Sequence, residues 1–226
     1  MNLHLNRIDE QDRASLNFDL QKLVIAGWTG RNLEAMEAHI RELEEMGIPR
    51  PKQTPAYYEC AKSLVTTDAA IEVVGEHTSG EVEFFIAAEG DDIVVGLGSD
   101  HTDREVEKSG VTLSKQLCAK PICKDVWSFQ DVYKHWDKLI LRSWAISGDS
   151  RDLYQEGPVT TMRDPLELAE GYFGKPRLKN GTLMFCGTLA VVGTIRPAEA
   201  FEMELEDPVL GRRLQHKYAI EVLPVE

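Results

Sequence analysis

Residues 70–100 read AIEVVGEHTSGEVEFFIAAEGDDIVVGLGSD, three apolar runs (Ile71–Val74, Val82–Ala87 and Ile93–Leu97) cut apart by turn-forming residues. Runs this short are strand length. HTSG and EGDD between them are turn chemistry, and EGDD suits the tip of a hairpin. A chain with such a segment in its middle must bury strands, and much of the remaining sequence agrees. SLNFDLQKLVIA at 15–26 is expected to be a strand, with Leu16, Phe18 and Leu20 alternating ahead of Leu23-Val24-Ile25. GTLMFCGTLAVVGTI, AFEMELED and HKYAIEVLP return to β near the C-terminus. The last two alternate cleanly at Phe201, Met203, Leu205 and at Tyr218, Ile220, Val222.

Helical spacing replaces alternation from Asn32 to Met46, where Leu33, Met36, Ile40 and Leu43 recur, with Asn32 as N-cap and Gly47 as stop. IPRPKQTP then reads as an extended connector. Residues 102–117 are expected to be a loop and short helix. Residues 126–143, VWSFQDVYKHWDKLILRS, have the aromatic periodicity of a buried helix. TTMRDPLELAEGYFG predicts one more helix, with Asp164 as cap and Pro165 at the first helical position. No repeat and no long linker divides the 226 residues. The expected architecture is α+β and mostly β. It is a single domain over 1–226, with a strand–helix element and connector at 1–55 and a β-rich core at 56–226.

Charge excludes some partners. Lys plus Arg number 25 against 38 Asp plus Glu, a formal charge of −13, which repels nucleic-acid phosphates and anionic membranes. A small anionic ligand remains compatible, because a divalent cation and a few local Lys or Arg invert the field at a site. Cysteines 60, 118, 123 and 186 form no CxxC pair and no zinc spacing, and read as free thiols of a reducing compartment. The N-terminus is charged throughout, and nowhere does the chain approach about eighteen consecutive apolar residues. A soluble, cytoplasmic protein is the expectation.

Several residues carry chemistry. Glu81-Val82-Glu83 opens a strand, so both carboxylates share one face, opposite to Val82 and its partner Phe84. Isolated pairs of this kind are usually solvated. Here Asp100 ends the next strand and can come alongside, and three carboxylates suit Mg²⁺, Mn²⁺ or Ca²⁺ rather than zinc. SDHTDRE at 99–105 packs further charge into seven positions, or is a turn in which Ser99 or Asp100 caps a short helix. His39 and Glu42 sit i, i+3 on the predicted helix, a spacing at which a carboxylate orients an imidazole for proton transfer, although surface helices hold such pairs by chance. Lys115 beside acids can present a point charge to a carboxylate substrate, and Gly187-Thr188 between strands offers close approach and a hydroxyl. The stretch around His135, Trp136, Asp137, Arg142 and Trp144 reads as core and buried polar network.

The order of these pieces resembles the fumarylacetoacetate hydrolase superfamily. The run from GIPRPKQTP through the ExE strand to SDHTDREVE resembles that family's proline-rich connector, ExE strand, hairpin and Asp-ended glycine-rich strand before a T-x-R turn. Lys115 follows at the family's distance, and GTLMFCGTLAVVG resembles its G-T segment. The likeness extends over most of residues 20–225. The phrases GWTGR, SDHTDRE, SKQ and HWD-x-L-x-L-R-S-W are similar to a bacterial branch known as a domain of unknown function. The resemblance implies a mixed β-sandwich roll, a homodimer, and a divalent cation on Glu81, Glu83 and Asp100, Mg²⁺ ahead of Mn²⁺ or Ca²⁺. It also implies Lys115 with a His39–Glu42 dyad as catalytic groups, and Gly187, Thr188 and Arg104 as substrate-binding groups.

Two departures stand out. Leu189 replaces the proline that follows Gly-Thr, and QLCAKPICKDVW replaces the family's S-F-D-x-F-x-P-x-G-P signature. The resemblance implies that both segments line the substrate pocket, so the implied chemistry is better supported than any one substrate. That chemistry is the work of a divalent-metal-dependent hydrolase or lyase on a 2-oxo acid, read first as acylpyruvate-type C–C hydrolysis through a metal-stabilised enolate. Decarboxylation, tautomerisation or dehydration on the same scaffold is the alternative, and a non-catalytic metal or ligand binder is the rival.

Overall fold

The computed structural model describes residues 1–9, 12–45, 50–90 and 92–225, with the side chains of residues 39, 42 and 43 outside that description. The strands run β1 (Asn2–Ile8), β2 (Arg13–Asp19), β3 (Lys22–Gly27), β4 (Ala56–Cys60), β5 (Val65–Thr66), β6 (Ala70–Val74) and β7 (Thr78–Ser79). They continue as β8 (Val82–Glu89), β9 (Asp92–Ser99), β10 (Thr102–Asp103), β11 (Lys120–Pro121), β12 (Asp125–Ser128) and β13 (Ile140–Ser147). The last four are β14 (Ser150–Pro158), β15 (Thr182–Thr188), β16 (Ala200–Asp207) and β17 (Arg212–Leu223). Helices are α1 (Leu33–Glu45), α2 (Arg104–Glu107), α3 (Val111–Leu117), α4 (Phe129–Tyr133) and α5 (Pro165–Phe173).

Two sheets carry the architecture. The larger has eight strands in the order β2-β1-β12-β9-β8-β15-β3-β4, and the smaller has five in the order β14-β13-β16-β17-β6. Strands β2 and β3 are consecutive in the chain yet lie near opposite ends of the large sheet, so that sheet curls until its ends meet. Its inside is one apolar cluster: Leu3, Leu5 and Phe18 from one end meet Leu23 and Ile25 from the other, around Phe85 and Phe185. The outer face packs on the small sheet through a second cluster, which takes in Phe84, Ile86, Trp127, Tyr154, Phe201 and Tyr218. Strand β8 therefore buries both faces, which is why its sequence is a continuous apolar run. Among the described residues no helix is long and apolar enough to cross a membrane.

The β8–β9 hairpin pairs Val82 with Ser99 and Glu89 with Asp92, as its turn chemistry predicts. Asp164 caps α5 by accepting the Leu166 N–H, with Pro165 in the first turn. Asn32 Oδ1 likewise accepts the Glu34 and Ala35 N–H groups at the start of α1, while Gly47, the expected stop, lies outside the described residues.

Three expectations are corrected. Residues 126–143 are not one helix but β12, the short α4 and β13. Strand β13 finds partners on both sides, β14 and β16, and this pairing outweighs local periodicity; Trp127, Phe129, Val132 and Trp136 reach one core from separate short elements. Residues 15–26 are two strands, broken where the Gln21 N–H donates to the Gly181 carbonyl. Residues 102–117 hold two short helices rather than one. The 135–144 region does form core and polar network: Trp136 packs edge-on to Phe84, and Arg142 pairs with Glu156, Glu204 and Glu206.

Gly96 and Gly98 form the floor beneath Phe85 and Phe185 inside the curl. A Cβ at Gly96 would lie 2.1 Å from Phe85 Cζ, and one at Gly98 2.8 Å from Phe185 Cε1. Those rings are fully buried and cannot swing away. Gly96→Ala is expected to cost about 1–3 kcal/mol of unfolding free energy, the usual penalty for overpacking a core. Urea denaturation with an unchanged m-value would read it directly.

Candidate metal centre

The open end of the β8–β9 hairpin assembles the acids. Glu81 and Glu83 flank the first residue of β8, and Asp100 follows the last residue of β9, its N–H donating to the Glu81 carbonyl at 3.0 Å. Pairing of Val82 with Ser99 makes this juxtaposition obligatory. One carboxylate oxygen from each of the three lies within 4.8 Å of the other two. Glu83 is 2% exposed and Asp100 is 0% exposed, so the solvated strand face that such a pair usually forms is excluded.

Three cations surround them. Helix α3 delivers Lys115, whose Nζ contacts Asp100 Oδ2 and lies 3.3 Å from Glu81 Oε2. Arg104, in the turn after β10, places Nη1 2.8 Å from Glu81 Oε1 and donates from Nε to Ser79 Oγ. That turn is capped by Asp103, which accepts the Glu105 and Val106 N–H groups, and not by Ser99 or Asp100. Ser99 instead accepts the Glu81 N–H and the Tyr218 hydroxyl. Lys120, on β11, is the third cation. Fully buried, it donates to the His101 carbonyl and lies 3.1 Å from Asp100 Oδ1, an ion-pair contact too misaligned to be a hydrogen bond.

Burial alone would raise Glu81, but the charges of Lys115 and Arg104 bring it down to about 2. Glu83 goes the other way: burial, then the Asp100 and Glu81 charges, push it well above the usual carboxylate range. Lys115 is held well above its ordinary value by Asp100, Glu81 and Glu83 despite its burial. Buried His101, held by Thr78 and Tyr218, is lowered to about 3 by burial and by Lys120 and Arg104, so it stays neutral and structural.

On the far side, the Gly187 N–H donates to Glu83 Oε2 at 2.6 Å. Gly187 has φ of +103°, and a Cβ there would lie 1.8 Å from Thr29 Oγ1, so no other residue fits. The Thr188 hydroxyl donates to the Val82 carbonyl and accepts from Gln155 Nε2, which leaves a ligand at most one acceptor position on that oxygen. Gln155 also takes the Val82 N–H, tying the start of β8 to the end of β15.

The structure thus brings together Glu81, Glu83, Asp100, Lys115, Arg104, Gly187 and Thr188. His39 and Glu42 fall on α1, but their side chains lie outside the described residues. Lys120 and Gln155 were missed by sequence reasoning: Gln155 belongs to a strand with no clear alternation, and Lys120 carries no motif. The all-oxygen donor set fits a hard divalent cation. All four cysteines are free.

Because Glu83 binds its proton more tightly in the folded chain, the stability this brings is complete below the ordinary carboxylate range and is lost as pH rises through the raised value. Glu83→Gln mimics the protonated form. In EDTA above pH 7 the variant is expected to melt no lower than wild type. It should also lose the metal-induced stabilisation, which for wild type at a hundredfold excess over Kd is about 2.7 kcal/mol. Thermal melts with and without Mg²⁺ or Mn²⁺ check both effects.

The family model described as protein of unknown function (DUF2848) matches residues 26–218. No curated protein matches the chain. Among solved structures, yeast ynq8, a fumarylacetoacetate hydrolase family protein, is 18% identical with a TM-score of 0.64, over 92% of this chain and 96% of that one. A 2-keto-3-deoxy-D-arabinonate dehydratase complexed with magnesium and 2,5-dioxopentanoate is 17% identical with a TM-score of 0.60, over 95% and 78%. The 4-oxalocrotonate decarboxylase from Pseudomonas putida G7, complexed with magnesium and adipate, is 14% identical with a TM-score of 0.56, over 88% and 77%. Identities this low carry the fold alone. By the extent of the sequence match the chain belongs to the DUF2848 family, and its fold is that of the fumarylacetoacetate hydrolase family proteins.

Proposed function

We propose that the protein is a divalent-metal-dependent enzyme acting on a small 2-oxo acid, with hydrolysis of an acylpyruvate-type C–C bond as the first reaction to test. The observation that carries this reading is the set Glu81, Glu83 and Asp100, the last two buried, with Lys115 against two of its members. The cation these residues would hold, Mg²⁺ or else Mn²⁺ or Ca²⁺, supplies Lewis-acid polarisation of the substrate's carboxylate and keto oxygens.

The chain's own groups do the rest. Lys115 presents a preorganised positive charge to the charge that develops on the substrate. Gly187, whose N–H holds Glu83, and Thr188 border the substrate at the end of β15, where the Thr188 hydroxyl accepts one hydrogen bond. Arg104 holds Glu81 and borders the substrate carboxylate. His39, oriented by Glu42, takes the proton from the attacking water. Helix α1 starts just after Thr29, the residue that abuts Gly187, which supports placing the dyad near this end of the sheet. Homodimer formation belongs to the same proposal.

A lyase reading stands second, favoured by the dehydratase and the decarboxylase among the structures of the same fold. Turnover of acylpyruvates, oxaloacetate and sugar-derived 2-oxo acids, by EDTA-stripped protein with and without Mg²⁺, tests the proposal. Metal-restored turnover of one class is the expected result, and no turnover with metal bound would favour a binder. His39→Ala is expected to lose about 10²–10⁴-fold in kcat on an acylpyruvate while keeping its metal affinity. Near-normal kcat in that variant would remove His39 from the mechanism and favour the lyase.

A further inference from the structure

Lys120 is a buried ammonium that the proposed reaction does not use. Stripping such a group of water is costly unless it is paired, so its placement has a structural reason. Its Nζ donates to the His101 carbonyl at 2.7 Å and lies 3.1 Å from Asp100 Oδ1, while Lys115 takes Oδ2. The same division recurs on the other two acids. Glu81 Oε1 lies 2.8 Å from Arg104 Nη1, and Glu83 Oε2 accepts the Gly187 N–H at 2.6 Å. Each carboxylate thus has one oxygen claimed from outside the centre.

Resting on the metal-centre reading above, we infer that Lys120 is a metal-positioning residue that confines Asp100 to a single donor oxygen and turns the centre toward Mg²⁺ and away from Ca²⁺. Mg²⁺ is small, octahedral and content with single oxygens and retained waters. Ca²⁺ collects six to eight oxygens and often takes both from one carboxylate. An ion gripping both oxygens of Asp100 would stand against the Lys120 ammonium, which is fully buried, where charges are screened least. Arg104 and Gly187 act in the same sense on Glu81 and Glu83, but both belong to the proposed binding machinery. Lys120 is neither a proposed metal ligand nor a proposed substrate contact, so changing it leaves those groups in the chain.

Isothermal titration of the EDTA-stripped full chain with MgCl₂ and with CaCl₂ tests this, comparing wild type with Lys120→Met and Lys120→Gln. Wild type is expected to bind Mg²⁺ at least as tightly as Ca²⁺. Either variant should shift the Ca²⁺/Mg²⁺ affinity ratio by about tenfold toward Ca²⁺, the lower end of the effect of groups that orient metal ligands. A long-range loss of charge felt alike by both ions, or general loosening, moves both affinities together and leaves the ratio alone, so an unchanged ratio overturns the inference and spares the metal centre. Should neither variant fold, wild type decides by itself: a Ca²⁺ affinity tenfold above that for Mg²⁺ overturns the inference. Failure of wild type to bind either ion overturns the metal-centre reading and this inference with it.

Discussion

Three carboxylates gathered at one end of a hairpin, two of them fully out of water, repel one another, and that repulsion sets the terms for everything around them. With ligand oxygens within 4.8 Å, each pair of full charges would cost at least roughly 3 kcal/mol at an effective dielectric of 20. Three such pairs approach the whole net stability of an ordinary domain, about 5–15 kcal/mol. The chain answers with three cations, Lys115, Arg104 and Lys120, and with a raised proton affinity at Glu83. Such an arrangement offsets a cost that a fold without a use for the acids would not incur.

The scaffold explains how the acids are kept in place. Val82 pairs with Ser99, so Glu81, Glu83 and Asp100 cannot separate without breaking the central hairpin. That hairpin is packed on both faces, with Phe85 inside the curled sheet and Phe84 against the small sheet. Gln155 and Thr188 cross-link its first residue to β14 and β15, and Gly187 brings its N–H onto Glu83. The apolar core and the polar centre therefore share the same strands, and preorganisation of the centre comes from packing at some distance from it.

What could be read in the sequence follows this division. The acids were legible because strand alternation and hairpin register are local properties of residues 81–100. So were the N-caps Asn32 and Asp164, where a side chain answers its own helix. Residues 126–143 misled because their aromatics converge on one core from three short elements, a long-range outcome that mimics helical spacing. Gln155 lies in a strand whose exposed residues hide its alternation, and Lys120 looks like any loop lysine until β11 pairs with β5 and carries it beneath Asp100. The curl of the large sheet was likewise invisible, since it depends on which distant strands pair.

The central claim is that the acids form a metal centre. Anomalous diffraction from crystals soaked in Mn²⁺ tests it most directly. A metal centre would give a single strong manganese peak within about 2.0–2.6 Å of one oxygen from each of Glu81, Glu83 and Asp100, the range for hard cations on oxygen, with Lys115 displaced from Asp100. Carboxylates still closed on Lys115, with manganese elsewhere or absent, would contradict it.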